Sequence, residues 1–335
     1  MGVNLTPIIT KTVVDLSDLS GKTLACDANN VLYQFLALIR TRKGVPLTDR
    51  KGRVTSHLVG LTFRATRLLH DYSIRLVYVF DGEPPELKKK ELKKRRKIKE
   101  KAKKEWEKAL QSKDYAKAYA KSTMMSRLTP EMIKDTKALL GLLGIPFVQA
   151  PSEAEAQAAY MTKDVYGAAS RDYDTLLFGA TRQVRYVTIQ GREYLPSKGV
   201  SRKYEPEIID LHKFLAHLGI TREQLVDMSI VMGNDFSPGV RGIGPKRGLK
   251  LIKKYKKLEN APDDILNELP ENLDEIRNIF LHPPVTDDYS IEYTRFKRDL
   301  LINFLRERKF SEKHIKTVIK RMDSFSQQTL ERWLQ

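Results

Sequence analysis

"IRLVYVFD", residues 74–81, decides how the chain reads: an apolar run with one arginine, closed by an aspartate. It is short, rich in β-branched and aromatic side chains, and lacks strict apolar–polar alternation. That is the pattern of a strand buried on both faces, as in parallel sheets. "KTLACD" (22–27) has the same design and ends in Asp27. Helical patterns lie between them, "ANNVLYQFLALIR" (28–40) and "SHLVGLTFRATRLLH" (56–70). A third strand, "IPFVQA" (145–150), runs into "APSEAEAQAAY" (150–160), and a fourth, "YGAAS" (166–170), runs into "RDYD". "VRYVTI" (184–189) reads as a fifth. Strands alternating with helices predict an α/β fold, a doubly wound and mostly parallel sheet flanked by helices.

Ligands of such sheets bind beyond the carboxyl ends of the strands. Here those ends carry acids: Asp27, Asp81, Glu153 and Glu155, Asp172 and Asp174. Asp235 follows a further helical stretch, "TREQLVDMSIVMGND" (221–235), read as amphipathic. One aspartate after a strand is usually a turn former or a helix cap. Ser152 and Glu155 also have the spacing of a capping box, which predicts Glu155 folded back on its own helix end. Capping accounts poorly for six carboxylates at four strand ends. Converging carboxylates repel, so the cluster requires cations. Oxygen-only ligands suit Mg²⁺, with Mn²⁺ as an alternative. Two such ions can activate a water and stabilise the leaving oxygen in phosphodiester cleavage.

Composition points to the partner. The chain has 335 residues, 41% of them apolar, and a formal net charge of +18. It is therefore globular, with a preference for a polyanion such as nucleic acid. No apolar run approaches the ~18 residues of a spanning helix, which argues against a membrane. The one cysteine, Cys26, rules out an intrachain disulfide and a cysteine zinc site. It reads as a buried structural thiol in a reducing compartment. The six histidines show no zinc spacing, and there is no phosphate-binding loop for ATP.

Residues 1–83 and 131–220 read as two parts of a nuclease core, interrupted by a basic insertion at 84–130. From residue 88 to 104, twelve of seventeen residues are basic, a density that predicts a mobile helix or disorder in isolation. A solvated linker or a localisation signal is the competing reading. Residues 221–290 form a duplex-binding lobe around "GVRGIGPKRGLKLIKKY" (239–255). Gly242 and Gly244 make a tight turn into a basic helix whose free N–H groups and positive end suit a phosphate. Lys246, Arg247 and Lys250 add charge there, in the manner of a helix-hairpin-helix. Residues 291–325 read as two amphipathic helices packed on the core. The last ten residues, 326–335, place Gln327, Leu330, Trp333 and Leu334 at the spacing of a one-turn helical plug for a partner.

These stretches occur together. "CDANNVLYQFL", "VYVFDGEPPELKKKEL", "QAPSEAEAQAAY", "RDYDTLLFG" and "GNDFSPGVRGIGPKRGLKLI" span most of the chain in one order. With the terminal motif, they resemble the flap endonuclease family of structure-specific 5′ nucleases, which includes the xeroderma pigmentosum G protein. The compact chain, ending at that motif, resembles archaeal members more than eukaryotic ones. The resemblance implies a first metal on Asp27, Asp81 and Glu155, with Glu153 nearby, and a second on Asp172 and Asp174, with Asp235 contributing partly through water. It implies that Lys88 and Arg95 touch the scissile phosphate and that Tyr33 stacks on the adjacent nucleotide. It also implies a helical arch formed by the basic insertion, a monovalent cation at the glycine hairpin, and a mature N-terminus at Gly2 near the site. Lys89 and Lys90 stand where smaller residues are usual in the family, which leaves open which cation besides Lys88 meets the phosphate.

The implied function is Mg²⁺-dependent endonucleolytic removal of 5′ flaps from branched double-stranded DNA, with 5′–3′ exonuclease activity, in Okazaki-fragment maturation and repair. The implied partner of the tail is the sliding clamp, PCNA. The protein is expected to be a monomer when free, and cytoplasmic and nucleoid-associated in an archaeon or nuclear in a eukaryote. A processive exonuclease or ribonuclease of related fold, and a clamp-tethered DNA scaffold without activity, are the rival readings.

Overall fold

The computed structural model describes residues 2–333, apart from 42–43, 113, 115–120, 122–126, 189–190 and 196–199. For residues 90, 92, 94–95, 110, 191–195, 200–203 and 328–333 it describes the backbone alone. Its centre is a seven-stranded sheet in the order β1-β9-β6-β5-β2-β3-β4. The inner strands are β2 (Thr23–Asp27), β3 (Arg75–Phe80), β4 (Phe147–Gln149), β5 (Gly167–Ala169) and β6 (Arg182–Arg185). All pair in parallel. β9 (Glu207–Asp210) and β1 (Thr12–Val13) continue the sheet antiparallel at one edge. A separate hairpin pairs β7 (Gly191–Leu195) with β8 (Val200–Tyr204). The fifth strand begins at Arg182, two residues before the expected 184–189, and ends at Arg185.

Successive strand residues face opposite cores, because side chains alternate across a sheet. Leu24 and Cys26 of β2, and Leu76, Tyr78 and Phe80 of β3, join one apolar cluster. Ala25, Val77 and Val79 join the other. Helices α1 (Ala28–Leu38), α2 (Ser56–Tyr72) and α4 (Pro130–Leu143) cover the first face. The C-terminal helices α12 (Arg298–Glu307) and α13 (Glu312–Trp333) lie over them. The second face is covered by α5 (Ala154–Tyr160), α6 (Asp174–Leu177) and α7 (Leu211–Leu218). Ala154, Ala156, Ala158 and Ala159 of α5 are all buried, and their small side chains let the helix lie close to the sheet.

The helices of 221–290 share this second core. α8 (Arg222–Met232), α9 (Pro245–Tyr255) and α11 (Leu273–Leu281) contribute Val226, Met228, Ile252 and Phe280 to the same cluster as the sheet. A single turn, α10 (Asp263–Leu266), connects them. α8 was expected to be amphipathic, but Leu225 through Val231 are buried without a break. It lies between the sheet's helices and α9, so both its faces are covered. Arg277 ties α11 to α8, its guanidinium bonding both oxygens of Asp227 at 2.6 and 3.0 Å.

The basic insertion forms a 24-residue helix, α3 (Lys88–Gln111). The terminal segment is not a separate turn of helix: the backbone of α13 runs unbroken through residue 326 to Trp333.

A candidate carboxylate metal centre

In the parallel set the chain builds β2, β3 and β4 to one side, then returns to place β5 and β6 on the other. Adjacent carboxyl ends of β2 and β5 thus diverge into different helices, which opens a crevice at the switch point. Asp27 ends β2 and caps α1, accepting from the Asn30 N–H at 3.0 Å. Asp81 follows β3. Its Oδ1 accepts from the Ala154 N–H at 2.8 Å and its Oδ2 from the Asn29 amide at 2.6 Å. The contact with Ala154 requires the loop after β3 to press on the backbone before α5. Gly82 permits this, since a Cβ there would fall 2.2 Å from the Ala150 carbonyl oxygen.

The capping box is not formed. Glu153, not Ser152, is the cap residue of α5, and it makes no side-chain capping bond. Ser152 donates instead to the Glu83 carbonyl at 3.0 Å. Glu155 accepts from Ser170 Oγ at 2.8 Å, across the crevice from its own helix end. Asp81, from the neighbouring strand, takes over the N–H at the start of α5.

Asp174 opens α6 and accepts from the Val3 N–H at 2.7 Å, so the first residues of the chain lie against it. Asp172 is exposed and accepts from the Asn30 amide at 2.9 Å. Lys88, the first residue of α3, forms an ion pair with Glu153 and stands 3.4 Å from Asp235. All seven acids expected at the site therefore face one another across the carboxyl edge of the sheet.

Their electrostatics are those of crowded negative charge. Burial, then the neighbouring Asp81, pushes the Asp27 carboxyl well up. Burial, then Asp174, Asp172 and Asp27, does the same to Glu155. Burial raises Asp174 to about 7. Burial also raises Glu153, against the opposing pull of Lys88. For Lys88 burial alone would lower the pKa, but Glu153 and Asp235 outweigh it and hold the ammonium above the usual lysine range.

Among the described residues, no group of three or more acids stands close enough around one point to hold an ion as the side chains lie. Their oxygens are bonded to amides, a hydroxyl, an ammonium and three backbone N–H groups instead. The donor set itself is all oxygen and over-charged, with carboxyls buried at 7% (Asp27), 9% (Glu153) and 6% (Asp174) exposure. That chemistry fits hard divalent cations, which would relieve the mutual repulsion.

Other expected residues lie around this centre. Tyr33 of α1 is 37% exposed, with the Lys99 ammonium 4.8 Å from its ring centre. The Arg95 side chain lies outside the described residues. In the lobe Gly242 turns the chain with a φ of 79°, and Gly244 precedes α9. Lys246, Arg247 and Lys250 are exposed on α9, and Arg247 donates back to the Gly242 carbonyl at 3.0 Å. Gln327 is exposed, whereas Leu334 and the side chains of Leu330 and Trp333 lie outside the described residues. Sequence reasoning missed Asn29, Asn30 and Ser170, which orient three of the acids. Polar residues in a first helical turn or after a strand carry no periodic signal.

Known proteins resemble the chain in sequence and in fold. The model of the XPG N-terminal domain matches residues 1–102, and that of the XPG I-region matches residues 144–235. Flap endonuclease 1 of Methanothrix thermoacetophila is 46% identical over 340 residues, covering 100% of both chains. The solved flap endonuclease-1 from Methanococcus jannaschii superposes with a TM-score of 0.77 at 40% identity, covering 98% of this chain and 100% of that one. The catalytic core of Rad2 in complex with DNA substrate reaches 0.69 at 23% identity, covering 95% and 97%, and shares the fold.

Proposed function

Because the chain belongs to the flap endonuclease 1 family, whose members are structure-specific 5′ nucleases, we propose that its seven acids hold two divalent cations beside branched DNA. Asp27, Asp81 and Glu155, with Glu153 adjacent, would hold the first. Asp172 and Asp174, with Asp235, would hold the second. Mg²⁺ is the ion of choice, with Mn²⁺ as a substitute. Bound there, the pair supplies an activated water and offsets charge on the leaving oxygen.

The chain's own groups do the rest. Lys88 remains charged and sits at the head of α3, where it can exchange its bonds with Glu153 and Asp235 for a phosphate oxygen. Arg95 lies two turns further along the same helix as its proposed companion. The exposed Tyr33 ring offers a stacking face for the nucleotide next to that phosphate. α3 serves as the arch beside which the 5′ strand passes, and Lys99 continues its basic character as far as Tyr33. The Gly242–Gly244 turn and the N-terminus of α9 grip the duplex backbone, with Lys246, Arg247 and Lys250 and a monovalent cation. Gln327, Leu330, Trp333 and Leu334 serve as the tether to the sliding clamp. No described helix is long and apolar enough to cross a membrane. A monomer working at the nucleoid of an archaeal cell is the setting that suits this reading.

The observation that carries it is the convergence of acids from the ends of β2, β3, β4 and β5, with Asp235 added from beyond α8. The test is cleavage of a 5′-flap duplex in Mg²⁺ and in EDTA. Cleavage is expected only with the metal, and Asp81→Asn is expected to abolish it while leaving DNA affinity nearly intact. Equal cleavage under both conditions would overturn the metal assignment.

A further inference from the structure

Among the described residues, Lys88 and Arg171 stand beside the acid centre, and they differ in how they are paired. Lys88, on one side, is neutralised within the protein by Glu153 and Asp235. Arg171, on the other, lies between Ser170, which bonds Glu155, and Asp172. Its guanidinium carbon stands 5.7 Å from the Tyr186 ring centre and 5.5 Å from that of Tyr204. The two rings are 4.7 Å apart and inclined at 33°. Among the described residues, no carboxylate lies within ion-pair distance of Arg171. The nearby Arg185 is different: it is buried and paired with Glu207 at 3.1 Å, and it donates to the Tyr186 hydroxyl at 3.0 Å.

This platform is held under strain. Tyr186 has a φ of 61°, in the left-handed region that bulky side chains rarely adopt. Such a conformation persists only where the surroundings over-determine it, and often at functional positions. Here the bond from Arg185 fixes the ring over which Arg171 lies. Arg171 and Tyr186 line the same crevice as Asn30 and Ser170, which bond Asp172 and Glu155. A guanidinium lying on aromatic faces keeps its N–H fork free at the edge, the arrangement suited to bidentate binding of a phosphate.

We propose that Arg171 is a DNA-binding residue, gripping a phosphodiester of the strand that passes the Asp172 side of the acid centre. The inference rests on the reading of this centre as a DNA-cleaving site. It assigns the crevice side a fixed phosphate contact, opposite the mobile one offered by Lys88.

The test is the affinity for 5′-flap DNA in EDTA, measured by fluorescence anisotropy from 50 to 200 mM KCl. Arg171→Gln should raise Kd about tenfold at 100 mM, the size of one lost charge-assisted contact. It should reduce the slope of log K against log salt by about one. In Mg²⁺ the loss should fall on KM rather than kcat. Arg171→Lys should keep the wild-type slope with part of the affinity lost, and it serves if the Gln variant melts early. An unchanged Kd and slope in Arg171→Gln would overturn the inference. So would weaker binding with an unchanged slope, which would mark a packing role. A flat profile in the wild-type protein would overturn the DNA reading itself.

Discussion

Replacing Asp174 with asparagine should stabilise the metal-free protein while abolishing cleavage. The carboxyl is 6% exposed, and burial raises its pKa from 3.8 to about 7. An acid whose pKa is raised by folding costs stability as pH climbs through that window, because the folded state holds the proton longer. Across the whole window the cost is about 4 kcal/mol, at ~1.36 kcal/mol per pH unit. Above pH 7, without metal, the folded protein therefore carries that full penalty. Asparagine removes the charge and keeps an oxygen for the Val3 N–H. A 335-residue chain unfolds with an entropy of roughly 0.7 kcal/mol/K, so the gain corresponds to a Tm rise of up to about 6 °C. Calorimetry in EDTA at pH 8 would measure it. At pH 5 the gain should shrink below about 2 kcal/mol, since most of the window lies above that pH. Saturating Mg²⁺ should reverse the order by stabilising the wild type alone. A variant no more stable than wild type at pH 8, or a gain independent of pH, would refute this account of the site.

The remaining predictions concern other parts of the structure. Arg277→Leu leaves Asp227 buried without its guanidinium and should cost about 3–5 kcal/mol in urea unfolding; a loss below about 1 kcal/mol would show that the pair does not hold α11 to α8. A Cβ on Gly2 would sit 2.9 Å from Asp174 Oδ1 and 3.0 Å from Asp172 Cβ. Gly2→Ala should therefore slow cleavage roughly ten- to hundredfold through misplaced acids, and full activity would show that the N-terminus yields freely. Burial lowers the His57 pKa from 6.5 to about 4. Its contribution is complete above pH 6.5 and is lost as pH falls toward 4, about 3 kcal/mol in all. His57→Leu should flatten that acid limb, and an unchanged limb would assign the loss elsewhere.

Four of the five parallel strands were legible because each lies in a short apolar run, a pattern that burial on both faces imposes. β6 was misplaced, since Arg182–Arg185 opens on two polar residues and the expected 184–189 overlaps it only at Val184 and Arg185. β1 and β9 were not legible. Thr12–Val13 is too short to carry a period, and Glu207–Asp210 mixes acids with isoleucines because Glu207 pairs with Arg185 and Asp210 caps α7. The acids were legible as strand-end residues, but their bonding was not. Ser152 and Glu155 have the spacing of a capping box, yet Asp81 from another strand supplies the cap, and a local motif has no means of registering such a rival. α8 misled for a similar reason, since two layers cover it and its exposed face disappears. Arg171 stood unremarked in a quoted motif, because only the fold brings Tyr186 and Tyr204 beneath it.

The acids that meet at the sheet edge are spread from Asp27 to Asp235, and the Val3 N–H closes the set from the other end of the chain. During synthesis the first of these residues emerges long before the last. At about 5–20 residues per second, roughly 10–40 s separate Asp27 from Asp235. Once α3 is complete at Gln111, the growing chain carries a strongly basic helix but an incomplete set of acids. It can attract nucleic acid before it can cut any. The long separation in sequence thus delays completion of the acid set until about 70% of the chain has been made.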